Sequence, residues 1–331
     1  MNPEELKLRP LPPMLPRYLV QGGFFLFQVW IGWRFLRWVA ALQQGEIPVS
    51  PRPAAVDGFL PISGLMGLRH WWQAGELSPV HPAAALILLA ALLTALLLKR
   101  GFCSWVCPVF PISEILWRLG QRLFGRTFAP PFWLDLPLRG LKYLLLGFFV
   151  TQILWLMPLP ALRAFIASPY HKLADIRLLQ FFQHPSATLL AILAILAILC
   201  LFVQMAWCRY LCPYGALLGL LSLLSLSKIG RNERLCIRCG LCSSRCPAWL
   251  PVIQKKTVRS PECYACYRCV HCCPAPGAVE MRVAERLILP SAIFALLLLA
   301  LFIGIDLYGR ATSRWQGSVS AREIAYLLTG R

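Results

Sequence analysis

The chain has 331 residues, 58% of them hydrophobic and only 14% charged, with a mean hydropathy of +0.62, a balance too apolar for an ordinary soluble domain. Its net charge of +19 comes from Lys and Arg that flank apolar stretches; this is the pattern of membrane-protein loops and argues against nucleic-acid binding. Fourteen cysteines would mean disulfides in a secreted protein, but most sit in Cys-x2-Cys or Cys-x3-Cys spacings typical of metal sites, which places them in a reducing compartment.

In chain order, residues 1–18 read as a polar, proline-rich tail with no cleavable signal, expected to stay cytoplasmic. Five apolar stretches then approach the roughly 20 residues that cross hydrocarbon as a helix: Leu19–Leu42, Val80–Leu98, Leu138–Met157, Ala187–Trp207 and Leu287–Leu307. The first carries Arg34 and Arg37 among tryptophans, read as snorkelling side chains near its outer end. About 22 Lys and Arg fall on the side that bears the paired cysteines, against about nine on the other, so the cysteine-bearing segments are expected inside. Ser320-Ala-Arg-Glu323 has the form of a capping box opening a short helix in the outer tail.

The chain repeats itself. His81-Pro82 leads through an apolar span to Cys103-Ser-Trp-Val-Cys107-Pro108, and His184-Pro185 leads through another to Cys208-Arg-Tyr-Leu-Cys212-Pro213. Two such units in one orientation imply a pseudo-twofold axis along the membrane normal. The expected fold class is therefore mainly α: a polytopic membrane helical bundle of about five spans with an internal two-fold repeat, carrying a small cytoplasmic ferredoxin-like domain of the bacterial two-cluster 4Fe-4S type. The expected divisions are residues 1–18 (tail), 19–231 (membrane domain), 232–284 (ferredoxin domain), 285–308 (fifth span) and 309–331 (outer tail).

The ferredoxin stretch is the strongest signal. Cys236-x2-Cys239-x2-Cys242-x3-Cys246-Pro247 is followed by Cys263-x2-Cys266-x2-Cys269-x3-Cys273-Pro274. Three thiolates at this spacing wrap three corners of a cubane, and the fourth, before proline, ligates the other cluster. One cluster is expected on Cys236, Cys239, Cys242 and Cys273, its neighbour on Cys263, Cys266, Cys269 and Cys246. Zinc also uses Cys-x2-Cys, but zinc ribbons pair two such elements rather than three cysteines plus Cys-Pro. Cys272 fits the spacing worse and reads as a spare; Cys200, alone in an apolar span, reads as a small core residue.

At the two Cys-x3-Cys-Pro elements, proline opens a new helix, so Cys107 and Cys212 are expected as its caps, where the dipole favours thiolate. Cys103, Cys107, Cys208 and Cys212 then have three readings: a third iron-sulfur cluster between the halves, a redox-active or partner-docking thiol pair, or inert core thiols. His81 and His184 open equivalent spans and either start helices or line a quinone site near the outer surface, with Asp57, His70, Glu76, His171 and Asp175 near in sequence.

Two Cys-x3-Cys-Pro segments after alternate spans, followed by two ferredoxin runs, resemble the NapH/NosR/CcoG family of membrane polyferredoxins, from about Asp57 to Met281. The resemblance implies a multi-pass protein of the bacterial inner membrane with its ferredoxin domain in the cytoplasm. It implies the electron-transfer subunit of a quinol dehydrogenase or another oxidoreductase complex, working in a respiratory chain with quinol and with ferredoxin-type or cytochrome c-type partners. An assembly or metal-reducing factor, as for CcoG-like members, and a membrane anchor for a soluble dehydrogenase are the alternatives. Against that resemblance, no flavin-binding or immunoglobulin-like domain is expected among these residues, and a fifth span is.

Overall fold

The computed structural model describes residues 14–125 and 127–329. The chain is mainly helical and divides into two compact units: Met1–Phe25, Leu92–Leu146 and Leu193–Ala300 form the first, and Leu26–Ala91, Gly147–Ile192 and Leu301–Arg331 the second.

The first unit holds a four-stranded antiparallel sheet in the order β2-β1-β3-β4, built from β1 (Ser227–Arg231), β2 (Thr257–Val258), β3 (Val279–Val283) and β4 (Leu287–Ile288). β1 is central: Ile229 pairs with Val258 on one side and Met281 on the other. Its alternate side chains Ser227 and Ile229 are buried, as a half-covered strand requires. The start of β1 is tied to the end of the helix Pro82–Leu97, where the Leu226 amide donates to the Leu96 carbonyl (3.0 Å) and the Ser227 hydroxyl to the Leu97 carbonyl (2.7 Å). Beneath the second cysteine run, the fully buried Trp105 packs on Phe294 (centroids 4.9 Å) and donates its indole N–H to the Ala265 carbonyl (3.0 Å). The ferredoxin sheet thus extends on both sides of the expected 232–284. Leu287–Ile288, read as the opening of a membrane span, is its edge strand, because hydropathy alone cannot separate a short apolar strand from a helix start; the helix begins at Ser291.

Among the described residues, the second unit packs helical segments around three apolar clusters. One joins Phe35, Trp38 and Leu42 to Ile176 and Ile324. The others centre on Met66, Ile153 and Leu162 and on Ala83, Leu86 and Trp315. Glycine lets the helices Pro61–Ala74 and Pro82–Leu97 approach closely: a side chain at Gly64 would meet the Ala84 carbonyl at 2.7 Å. Arg34 and Arg37 lie over the Trp30 and Trp33 rings at 5.2 and 5.1 Å. In the tail, the Ser320 hydroxyl accepts from the Glu323 amide (3.1 Å) and starts the helix Ala321–Thr329.

Of the five expected spans, Ser291–Ala311 is drawn as one uninterrupted helix long and apolar enough to cross a membrane. Phe132–Leu156 with Leu159–Ala167 bends by 109°, Ala174–Gln183 with Ala187–Phe202 bends by 81°, and Pro82–Leu97 is apolar but only 16 residues long. Leu15–Gln43 has the length but carries Arg17, Gln21, Gln28, Arg34 and Arg37. The helices Pro82–Leu97 and Ala187–Phe202 end for a local reason. Lys99 (φ +55°), four residues before Cys103, and Met205 (φ +55°), three before Cys208, are both left-handed, a conformation that ends a helix.

Candidate functional site

The two ferredoxin runs adopt one backbone pattern twice. Arg238 (φ +55°) and Gly240 (φ +77°) follow Cys236 at the same offsets as Ala265 (φ +52°) and Tyr267 (φ +59°) follow Cys263. Each run then closes on a one-turn helix, Leu241–Ser244 or Arg268–His271. A left-handed non-glycine residue costs roughly 1–3 kcal/mol and persists where something offsets it; here the conformation coils the chain around a common centre.

The thiols gather accordingly. Cys242 is close enough to Cys273 and Cys239, and Cys273 to Cys239 and Cys236, for their charges to interact. Cys246 stands in the same relation to Cys266 and Cys263, and Cys269 to all three. Those last four together line a cavity with Ile229 and Tyr264, and burial pushes the Cys246 thiol up to about 12. Cys272 sits by the first set but directs its Sγ to the Cys269 carbonyl (3.6 Å). Among the described residues no three His, Cys, Asp or Glu side chains are drawn together tightly enough to hold a metal ion. Four thiols from two loops around one cavity, as for Cys246, Cys263, Cys266 and Cys269, are the donor set that a 4Fe-4S cluster takes.

The Cys-x3-Cys-Pro elements supply a third gathering. Cys107 interacts with Cys103 and Cys212, and Cys208 with all three. Cys212 caps the helix Pro213–Leu221, its Sγ accepting from the Gly215 amide (3.3 Å); the amides of Val109 and Phe110 face Cys107. The expected lowering of these thiol pKa values does not occur: burial outweighs the amides, raising Cys212 and pushing Cys107 up to about 12. Such thiols become thiolates when a cation takes their protons' place. Cys200 is buried beside Ala206 and Tyr210.

Sequence reasoning missed the cations threaded between the sulfur sets. Arg100 donates to Cys103 Sγ (3.4 Å), the Cys208 carbonyl (3.4 Å) and the Pro261 carbonyl (3.3 Å), faces Glu262 at 3.7 Å and lies over the Tyr264 ring. Lys142 bonds both Glu262 oxygens (2.6 and 2.7 Å). Burial alone would raise the Glu262 carboxyl, but Arg100 and Lys142 outweigh it and hold it low. The Lys99-Arg100 pair just before Cys103 was the available signal, though flanking positive charge at a span is ordinarily topological.

In the second unit, His81 and His184 part company. His81 is buried; its Nε2 lies 2.9 Å from the His171 carbonyl and its Nδ1 3.0 Å from Asp57 Oδ1. His184 is exposed, at the end of the helix Ala174–Gln183. Arg52 bridges Asp57 and Asp175. His171 packs edge-on to His81 (centroids 5.0 Å), donates from Nδ1 to the Ile166 carbonyl and accepts at Nε2 from Ser63; burial and His81 together push it down to about 4. His70 Nδ1 donates to the Glu76 carbonyl (2.8 Å). A cavity of about 290 Å³ opens beside this cluster, lined by Trp38, Arg52, Val80, His81, Lys172 and Ile324. The Trp38 indole N–H, although buried, has no hydrogen-bond partner among the described residues.

Comparison with known proteins decides the family. A family model described as a 4Fe-4S binding domain matches residues 80–127 and 186–232, the two Cys-x3-Cys-Pro repeats rather than the ferredoxin runs. YccM of Escherichia coli K12 is 43% identical over 274 residues, covering 81% of this chain and 76% of that protein. The ferredoxin-type protein NapH of the same organism is 30% identical over 211 residues, 59% of this chain and 66% of its own length. The chain belongs to the NapH/NosR-type family of ferredoxin-type membrane proteins. Another relative is the methylamine utilization ferredoxin-type protein MauN of Paracoccus denitrificans, 34% identical over 173 residues, 50% of this chain and 56% of its own. No solved structure matches. As a NapH/NosR-type protein the chain is an iron-sulfur electron carrier.

Proposed function

We propose that this NapH/NosR-type chain takes electrons from a membrane quinol and passes them singly to partner redox proteins through clusters on three cysteine sets. The carrying observation is that twelve thiols gather in three sets of four, each drawn from two separate loops. Cys236, Cys239, Cys242 and Cys273 ligate one cluster, Cys246, Cys263, Cys266 and Cys269 the second, and Cys103, Cys107, Cys208 and Cys212 a third. Bound there, 4Fe-4S clusters supply one-electron chemistry. The protein's own part is to bury the sulfurs, coil the backbone around them and set cations beside them.

Quinol oxidation releases two protons with two electrons, so its site needs a proton acceptor. His81 has bonding that suits the role: Nε2 faces a carbonyl and must donate, so Nδ1 is an acceptor, meeting an Arg52 N–H at 3.3 Å, and a proton taken there would be shared with Asp57 Oδ1. His171, held neutral, does not compete. Arg52 is matched by two carboxylates and Lys172 by Glu323 (2.6 Å), so the cavity favours a neutral ligand with acceptor oxygens over an anion; the free Trp38 N–H suits such an oxygen. His184, exposed, lies outside this arrangement. The Lys and Arg distribution supports several crossings of the inner membrane with the cysteine sets on the cytoplasmic side.

Menaquinol added to membranes containing the chain should bleach the cluster absorption, and His81→Gln should slow that bleaching about tenfold or more while dithionite still reduces the variant fully. Clusters that stay oxidised with quinol but bleach with reduced ferredoxin would reverse the direction of flow.

A further inference from the structure

Lys99 is fully buried, and its Nζ finds no hydrogen-bond partner among the described residues. An unpaired buried ammonium is unfavourable, and the backbone that carries this one is tied down. Its backbone N–H donates to Ser225 Oγ (2.9 Å), two residues before β1, where Ile229 lines the Cys246, Cys263, Cys266 and Cys269 cavity. The next residue, Arg100, touches Pro261, Glu262 and Tyr264, the immediate neighbours of Cys263. Burial disfavours the Lys99 charge, Cys263 is the group that favours it, and Lys228 opposes it. Arg100 is bonded to carbonyls and a thiol and faces Glu262, which is shared with Lys142. The Lys99 Nζ, unlike these, has no hydrogen-bond partner among the described residues.

We propose that Lys99 is the fixed counter-charge of the sulfur set Cys246, Cys263, Cys266 and Cys269, acting through its charge near Cys263 and raising the set's reduction potential above that of the Cys236 set. The proposal rests on the reading that these four thiols carry a 4Fe-4S cluster. A cluster with four thiolates is an anion in both states and gains a further negative charge on reduction, so a buried cation beside it stabilises the reduced form, and water cannot screen the pair. Lys99 is thus a positioning residue that makes this set the preferred resting place of the electron.

Potentiometric titration of the full chain in detergent, followed by electron paramagnetic resonance, tests this. In Lys99→Met with full iron content, one cluster should become at least tenfold harder to reduce, a fall of about 59 mV for one electron. The other clusters should keep their midpoints, and Lys99→Arg should restore most of the difference. Unchanged midpoints in Lys99→Met would overturn the proposal. Should Lys99→Met and Lys99→Gln both lose iron, retention by Lys99→Arg supports a requirement for the charge, and loss from Lys99→Arg as well reduces the residue to a packing role and sinks the idea. A wild-type chain without iron-sulfur signals would instead defeat the underlying reading.

Discussion

Glu114 shows how single side chains tie the metal-binding loops to the helices. It is buried and receives Arg17 (2.5 Å), Arg118 (2.5 Å) and Arg268, and Arg268 lies between Cys266 and Cys269 in the second ferredoxin run. Removing it leaves buried guanidinium groups unmatched, so Glu114→Ala should cost about 3–5 kcal/mol in thermal or denaturant unfolding. Burial alone would raise the Glu114 carboxyl, but Arg17, Arg268 and Arg118 hold it down at about 2. Its folded pKa lies below the unfolded value of about 4.3, so its contribution is complete above that value and is lost as pH falls towards 2. His171 acts at milder acidity. A base held down at about 4 against about 6.5 unfolded costs no stability above pH 6.5 and progressively more as pH falls towards 4, because the unfolded chain binds the proton first. Melting temperature should therefore decline in two stages, and His171→Gln should remove the milder one.

At the scale of elements, the helix Val109–Phe124 and the helix Ala187–Phe202 meet through glycine. A side chain at Gly120 would lie 1.9 Å from the Leu201 carbonyl, a contact with backbone that no rotamer relieves. Gly120→Ala should destabilise by about 1–3 kcal/mol or more, read as a lowered melting temperature, whereas Gly140→Ala, which meets nothing within 4 Å, should not. The sequence revealed the elements that carry strong period or spacing and hid the rest. The cysteine runs, the Cys212 cap and the Ser320 cap are written in a few adjacent residues. The sheet was not legible, because β1 reads Ser-Lys-Ile-Gly-Arg and β2 and β4 have two residues each, too short for an alternating pattern. The helix breaks at Lys99 and Met205 were hidden too, since neither residue type announces a left-handed turn.

For the whole molecule, the repeat in the sequence foretold which residues would correspond but only partly which would meet. Its cysteines, equivalent in the two halves, gather; its histidines do not, and the ring facing His81 is His171, which no repeat predicts. The polar cluster around Arg52 joins residues more than a hundred positions apart, and charge matching of that kind is visible only once the chain is folded. The proposed function rests on three sets of four thiols, and it stands or falls with what they hold. Iron and acid-labile sulfide measured on the protein purified without air, alongside electron paramagnetic resonance, test this most directly. The account predicts about twelve irons per chain, four for each cubane, falling to about eight in the Cys103→Ser, Cys208→Ser double variant. A protein that is iron-free, or that holds zinc in place of clusters, would contradict it.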